Sequence, residues 1–400
     1  MRSSCLAWIV LALIFFLCGA CSKKHCGINR EDSGTDTTDA VFAKQREQAA
    51  LAAASLDDRL LAAQVIVSGI DGRERLGQDM RTLLDECPAG GIMLFRYNLD
   101  TDVEAIQRLI AECVTLIDGK TGGETAAGIP PFVAVDHEGG TVNRFQPGLA
   151  DLPSAGSYWT LAQNEGWNTA IERIESDSFR AASAINRLGC NLNLAPVAES
   201  LVAGNSDFLE DRSYGPDPVF TGEAAAAFIR GMERAGILCV VKHFPGSAGP
   251  DPHRFPSVLQ GGKEALADMT APFAFLIRRG RARARALMVS HSILPALDSE
   301  IASLSPVVMG GWLREEMGFS GIIMSDDFSM AAAGAANAEA AAVRSLASGA
   351  DMVLVWPPGL RRTHRAIQAA LTNGSLPRQR LREAAERIIF EKIRMGLMYE

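Results

Sequence analysis

Eight short apolar runs, separated by longer stretches with helical spacing, restrict the fold of this sequence more than any other feature. The runs are rich in Val, Ile, Leu and Met, which is typical of strands buried on both faces of a parallel sheet. They occupy residues 62–70, 90–95, 131–136, 191–197, 237–244, 286–291, 321–327 and 351–356.

The stretches between the runs are long enough for helices, as at 101–117, 165–188, 219–235, 262–279, 307–317 and 332–348. This alternation predicts repeated β-α units and an α/β fold. Eight such units over about 300 residues predict a (β/α)8 barrel of the TIM type, which usually forms a single domain. We expect no second large domain, because only residues 357–400 follow the last run.

The N-terminal residues resemble an export signal. Residues 6–20 form an apolar run behind Arg2 that is short for a membrane span but fits the hydrophobic region of a signal peptide. Small residues precede Cys21, as in bacterial lipoprotein signals, where such a cysteine becomes the lipidated first residue. The Leu that is usual three places earlier is here Cys18. The resemblance implies a membrane anchor at Cys21, and the alternative is secretion without a lipid.

These patterns predict three segments along the chain. We expect a signal peptide of lipoprotein type at 1–20, a tether and leading helix at 21–55, and the barrel domain at 56–400. The mature protein is then expected in the cell envelope, held at a membrane on its periplasmic or outer face.

Charge and cysteine content exclude several classes of function. The chain has 39 Lys and Arg against 47 Asp and Glu, a net charge of −8, which argues against a nucleic-acid partner. Of its eight cysteines, Cys5 and Cys18 lie in the leader and Cys21 is the expected lipidation site. The remaining odd number lacks Cys-x-x-Cys spacing, so the sequence predicts neither a disulfide framework nor a zinc or iron–sulfur site.

Polar residues follow the ends of several predicted strands. The segments 136–140, 242–243, 290–291 and 325–327 end the third, fifth, sixth and seventh runs. Active sites of (β/α)8 barrels form at this end of the strands. We therefore predict the functional site there, with four of the six histidines on one rim: His137, His243, His253 and His291.

The carboxylates of Asp326 and Asp327 follow the seventh run directly. Adjacent residues of a strand point in opposite directions, so we expect one of the two side chains to face the barrel axis. Asp326 is the candidate for a nucleophile, a base or a metal ligand. Asp327 is the better candidate for the N-cap of the following helix.

The loop at 242–256 is rich in Gly and Pro, which predicts an ordered excursion over the rim. Asp251 and His253 flank Pro252, and their side chains can share one side of an extended chain. A carboxylate there would orient the imidazole and raise its basicity; the alternative is a solvent-exposed histidine. A retaining glycosidase needs a carboxylate nucleophile and an acid about 5–5.5 Å apart, and Asp326 and His253 are of suitable types.

Five motifs resemble one family, and they occur in that family's order between about residues 60 and 395. They are VAVDHEGGTVNRF (133–145), EDRSYGPDP (210–218), KHFPG (242–246), Asp251-Pro252-His253 and GFSGIIMSDDFSM (318–330). The sequence thus resembles glycoside hydrolase family 3, in particular the single-barrel β-N-acetylhexosaminidases that act on cell-wall muropeptides and amino sugars.

The resemblance implies an exo-acting retaining β-N-acetylglucosaminidase that needs no metal or organic cofactor. Asp326 would be the nucleophile that forms a covalent glycosyl-enzyme, and His253, paired with Asp251, would be the general acid/base. The residues implied to bind sugar hydroxyl groups are Asp136, Arg144, Arg212, Lys242 and His243.

Departures from the family pattern keep other functions open. The acid/base loop is shortened, Ser247-Ala248 replaces a usual His-Gly, Pro252 replaces a small residue, and His137 replaces a common Gln. A β-glucosidase or β-xylosidase would share the mechanism, but such relatives usually have Trp in place of Asp327. A metal-dependent amidohydrolase would need the His-x-His that residues 68–71 lack. A sugar-binding lipoprotein without catalysis is the non-enzymatic alternative.

Overall fold

The computed structural model describes residues 33–121, 128–202, 204–278, 283–330, 333–334 and 337–398. The expected signal segment and Cys21 lie outside these residues. The chain divides into two compact units, Met1–Phe42 and Ala43–Glu400. Within the described ranges, no helix combines the length and apolar character that a membrane span requires.

The described residues form ten strands, and eight of them make one parallel sheet in the order β10-β1-β2-β3-β4-β5-β6-β9. The strands are β1 (Ile66–Gly69), β2 (Gly91–Leu94), β3 (Phe132–Val135), β4 (Leu192–Asn193), β5 (Leu238–Phe244), β6 (Ala286–Val289), β7 (Ile293–Leu294), β8 (Asp298–Ile301), β9 (Ile322–Ser325) and β10 (Val353–Val355). Each of the eight apolar runs contains one strand of this sheet, which confirms the predicted (β/α)8 barrel. The remaining pair, β7 and β8, forms an antiparallel hairpin that the sequence analysis did not predict.

Helices alternate with the barrel strands. They are α1 (Ser33–Ser55), α2 (Asp58–Gln64), α3 (Gln78–Glu86), α4 (Arg96–Leu99), α5 (Val103–Thr121), α6 (Ala155–Glu165), α7 (Trp167–Leu188), α8 (Ser206–Leu209), α9 (Pro218–Arg234), α10 (Ala267–Arg278), α11 (Ala338–Ser348), α12 (Leu360–Asn373) and α13 (Arg378–Arg394). The expected helices at 101–117, 165–188, 219–235 and 262–279 correspond to α5, α7, α9 and α10.

Two expected helices differ from the prediction. The stretch at 307–317 forms a π-helix, Val307–Glu316, with two adjacent glycines in its middle. The helix expected at 332–348 begins later, at Ala338, where the Asn337 side chain accepts a hydrogen bond from the Ala340 amide at 2.9 Å. Asn337 therefore caps α11, and the prediction that Asp327 caps this helix is wrong.

Small residues allow α7 and α9 to pack closely outside the barrel. A Cβ atom on Gly231 would lie 2.5 Å from the Glu175 carbonyl oxygen and 2.7 Å from the Ser178 Cβ. Only glycine fits at such a distance, since real Cβ atoms do not approach other atoms so closely. Of the two helices, α9 packs on β5, the strand that ends with Lys242, His243 and Phe244.

The barrel closes between β9 and β10 through a short contact that is strengthened by a buried charge. Met324 and Met352 form a single parallel bridge there. Beside it, the fully buried Asp351 carboxylate accepts the Ile323 amide at 2.9 Å. The same carboxylate pairs with three arginines, Arg314, Arg380 at 2.9 Å and Arg387 at 3.1 Å. Side chains from the π-helix and from α13 thus meet at the seam of the barrel.

Replacing Asp351 with Ala is expected to destabilise the protein by about 3–5 kcal/mol, because it leaves largely buried arginines without their counter-charge. Urea unfolding followed by circular dichroism measures the change. The control is Asp85→Ala, which removes an exposed ion pair with Lys120 and is expected to cost about 0–1 kcal/mol. Equal losses in the two variants would show that the seam does not depend on this charge.

Candidate active site

Two adjoining cavities lie at the C-terminal ends of the barrel strands. The inner cavity has a volume of about 160 Å³ and the outer one about 750 Å³. Both are lined by Asp136, Arg144, His253 and Asp326, which belong to widely separated parts of the sequence. The remaining predicted sugar-binding residues, Arg212, Lys242 and His243, line the inner cavity.

Asp136 directly follows β3 and forms two ion pairs. Its Oδ1 accepts from the Lys242 Nζ at 2.6 Å, and its Oδ2 accepts from the Arg144 Nη2 at 2.9 Å. Burial alone would raise the pKa of Asp136, but the neighbouring Lys242 and Arg144 charges hold that pKa well below its ordinary value. The carboxylate is therefore ionised at neutral pH and can accept hydroxyl protons from a ligand.

Glu138 joins the same charge cluster, although the sequence analysis assigned it no role. Its carboxylate accepts from the Arg212 guanidinium through two hydrogen bonds, at 2.8 and 2.9 Å, and lies 2.7 Å from the Lys242 Nζ. Burial lowers the pKa of Lys242, but Asp136 and Glu138 outweigh it, so that this pKa lies above its ordinary value. Two carboxylates thus stabilise one buried ammonium group.

A bulge in β5 explains how two adjacent residues reach one cavity. Val241 pairs with Leu287 and Phe244 pairs with Val289, so β5 has one residue more than β6 between these pairs. An extra residue breaks the strict alternation of side-chain directions. Lys242 and His243 can therefore both line the inner cavity.

His243 is held by Glu199, a fully buried residue that the sequence analysis missed. The His243 Nδ1 lies 2.6 Å from the Glu199 Oε1, and the Ser247 hydroxyl donates to the Oε2 at 2.6 Å. Burial would raise the pKa of Glu199, but His243 and Ser247 bring it below its ordinary value. Because a carboxylate can only accept, Nδ1 carries the hydrogen and Nε2 remains for a ligand.

Asp326 follows β9 and lines both cavities. Its Oδ1 accepts the Asp327 amide at 2.9 Å. The Asp327 carboxylate instead accepts from the amide and the hydroxyl of Ser329, at 2.9 and 2.7 Å. Of the two adjacent carboxylates, Asp326 alone lines the inner cavity within the described residues.

His291 holds the backbone at the end of the same strand. Its Nε2 donates to the Asp327 carbonyl oxygen at 3.0 Å, and its Nδ1 accepts from the Ser303 hydroxyl at 2.7 Å. Burial lowers the pKa of His291, so the ring is neutral, which agrees with one donated and one accepted bond. His291 fixes the backbone that carries Asp326.

Asp251 and His253 are in direct contact on the loop above the cavity. The Asp251 Oδ1 accepts from the His253 amide at 2.9 Å and lies 2.6 Å from the His253 Nδ1. Slight burial raises the pKa of Asp251, but the two hydrogen bonds from His253 bring it below its ordinary value. The imidazole is 62% exposed, and its Nε2 is the nitrogen left for proton transfer.

His137 does not join the other three histidines of the predicted rim. Its ring is fully buried and packs edge-on against Phe145, with the ring centres 5.2 Å apart. Burial lowers the pKa of His137 to about 4. Among the described residues it lines neither cavity, so the prediction of four rim histidines is wrong for this one.

Glu138 and Glu199 share a sequence signal that could have identified them. Each is an acidic residue within three positions of the end of an apolar strand run, as Asp136 and Asp326 are. Acidic residues are rarely buried without partners, so such positions indicate a charged pair. Across the part of the chain that the structure describes, no group of three or more His, Cys, Asp or Glu could hold a metal ion.

Known proteins are similar to this chain in both sequence and fold. The sequence model for the N-terminal domain of glycosyl hydrolase family 3 matches residues 56–390. A beta-hexosaminidase from Methylococcus capsulatus is 34% identical over 285 residues, which cover 70% of this chain and 79% of that protein. A beta-hexosaminidase from Idiomarina loihiensis is 33% identical over 297 residues, which cover 73% of this chain and 83% of that protein.

Solved structures with a similar fold indicate the same family. A family 3 beta-N-acetylglucosaminidase from Paenibacillus has a TM-score of 0.76 and 26% identity; the match covers 86% of this chain and 63% of that one. The NagZ protein of Neisseria gonorrhoeae, solved with N-trifluoroacetyl-D-glucosamine, has a TM-score of 0.64 and 25% identity. The match covers 82% of this chain and 97% of that one. The chain therefore belongs to glycosyl hydrolase family 3.

Proposed function

We propose that this protein is an exo-acting β-N-acetylhexosaminidase that removes terminal N-acetylglucosamine from cell-wall muropeptides or amino-sugar oligosaccharides. The observation that carries the proposal is the position of Asp326 and His253 on the walls of the same two cavities. These are the two groups that a retaining glycosidase needs. The names of the relatives, which are beta-hexosaminidases and a beta-N-acetylglucosaminidase, support the choice of sugar.

The inner cavity suits a single terminal sugar. Its charged lining includes Asp136, which both cavities share, and Glu138, Arg212 and Lys242, which are absent from the described lining of the outer cavity. Hydroxyl groups of a pyranose can both donate to the carboxylates and accept from the cations. Because Glu138 and Lys242 are nearly fully buried, a sugar chain could not continue past them, and this supports exo-action.

In the proposed reaction, the Asp326 carboxylate attacks the anomeric carbon while the bond to the leaving oxygen breaks. The His253 Nε2 gives its proton to that oxygen, and a covalent glycosyl-enzyme results. His253 then takes a proton from water, whose oxygen attacks the anomeric carbon and frees Asp326. Asp251 keeps the other ring hydrogen in place and stabilises the imidazolium form.

Replacing Asp326 with Asn is expected to lower turnover by about 10⁴-fold or more, because an amide cannot attack the anomeric carbon. Release of nitrophenol by the full-length protein measures it, with β-N-acetylglucosaminide, β-glucoside and β-xyloside compared. The matched variant Asp327→Asn should keep far more turnover, since that carboxylate bonds to Ser329. If the folded wild-type protein released nitrophenol from none of the three substrates, the proposed function would be wrong.

His253→Ala tests the acid. Loss of general acid catalysis should slow substrates with sugar leaving groups by about 10²–10⁴-fold. Nitrophenyl substrates should be affected far less, because an activated phenol barely needs the proton. Arg254→Ala is the matched control, since that side chain is 78% exposed and lies 3.9 Å from Asp251. Equal losses on both substrate types would rule out His253 as the acid.

We further propose that the protein is exported and anchored by a lipid on Cys21. The apolar run at 6–20 and the small residues before Cys21 support this. Cys21→Ser is expected to move the protein from the membrane fraction to the soluble fraction, because a serine cannot carry the thioether lipid. Immunoblots of the two fractions measure the change, and an unchanged distribution would contradict the anchor.

A further inference from the structure

Three aromatic rings form a stack beside the catalytic strand end. Trp356 follows β10, and Phe95 and Tyr97 follow β2. The Trp356 and Phe95 ring centres are 4.5 Å apart at 11°, and those of Phe95 and Tyr97 are 5.9 Å apart at 12°. Gly69 permits this packing, since a Cβ there would lie 2.8 Å from the Phe95 ring.

The outer rings of this aromatic stack are exposed rather than part of the core. Trp356 is 44% exposed and Tyr97 is 43% exposed, although large aromatic side chains are normally mostly buried. Because Phe95 covers one face of Trp356, the exposed area of the indole lies on its other face and its edges. Exposed aromatic surface at the mouth of a cavity is a feature of ligand sites.

Hydrogen bonds hold the two exposed rings in fixed positions. The Trp356 indole nitrogen donates to the Asp327 carboxylate, and the Tyr97 hydroxyl donates to the Ile70 carbonyl oxygen. Asp327 is the neighbour of the proposed nucleophile, so the indole is tied directly to the catalytic strand end. A ring that is fixed in advance loses little entropy when a ligand packs on it.

All three rings line the outer cavity and are absent from the described lining of the inner one. Asp326 and His253 line both cavities, so a glycosidic bond placed between them has its terminal sugar on the inner side. The leaving group then extends into the outer cavity, past the aromatic stack. Arg96 and Asp100 line the same cavity and supply polar groups beside the rings.

We propose that the stack of Phe95, Tyr97 and Trp356 binds the leaving-group sugar, so that the enzyme prefers β-linked oligosaccharides over glycosides with small aglycones. This inference rests on the proposed function and adds the residues that bind and select the leaving group. A pyranose ring has one face covered by C–H groups, and such a face packs on an aromatic ring with loss of apolar surface to water. The neighbouring polar groups bind the hydroxyls at the sugar's edge.

The experiment compares two substrates of the full-length protein, N,N′-diacetylchitobiose and methyl β-N-acetylglucosaminide. Both need a proton on the leaving oxygen, but only the disaccharide has a second ring. Trp356→Ala is expected to lower kcat/KM for the disaccharide about tenfold and to change that for the methyl glycoside less than twofold. Trp356→Phe, which keeps a ring but loses the bond to Asp327, should retain most of the preference.

Trp167→Ala is the matched control, because Trp167 is 39% exposed and lies on α7, away from both cavities. Equal losses on the two substrates, or a loss in Trp356→Phe as large as in Trp356→Ala, would mean that Trp356 only positions Asp327, and the proposal would be wrong. If the wild-type protein hydrolysed neither substrate, the proposed function would fail. Calorimetric measurement of the binding of the same two glycosides would then test the aromatic stack on its own. Tighter binding of the disaccharide than of the methyl glycoside, lost in Trp356→Ala, would support the stack, and equal binding of the two would contradict it.

Discussion

The buried ammonium group of Lys242 is the charge around which the site is arranged. A lysine in this position would be costly without partners, and Asp136 and Glu138 supply them from the end of β3. Arg144 and Arg212 then balance the two carboxylates. The pairing couples β3, β5 and their loops, so the barrel and the sugar-binding cavity depend on the same electrostatic contacts.

Most of the barrel could be predicted from the sequence, because buried parallel strands are apolar on both faces and short. The general position of the site followed from Asp136, Lys242 and Asp326, since polar residues at strand ends converge in a closed barrel. The residues with which buried carboxylates pair could not be predicted in the same way. Glu138 and Glu199 pair with residues about 74 and 44 positions away, and sequence spacing carries no signal for such contacts.

The register of β5 shows a second limit of sequence reasoning. An ideal strand would direct Lys242 and His243 to opposite faces, and only the bulge against β6 brings both to the cavity. His137 shows the converse, since it follows β3 beside Asp136 yet packs into the core. Ser247 departs from the family pattern but donates to Glu199, so this substitution is accommodated within the support of His243.

The three arginines that pair with Asp351 determine when the barrel can close during synthesis. Its arginines come from the π-helix and from α13, and β10 must pair with β1, which is almost 300 residues earlier in the chain. During synthesis on a ribosome, the seam can form only after Arg387 has left the exit tunnel. The strand ends that carry the site are held together late, so an incomplete chain exposes open sheet edges, and such edges can pair with other chains and aggregate.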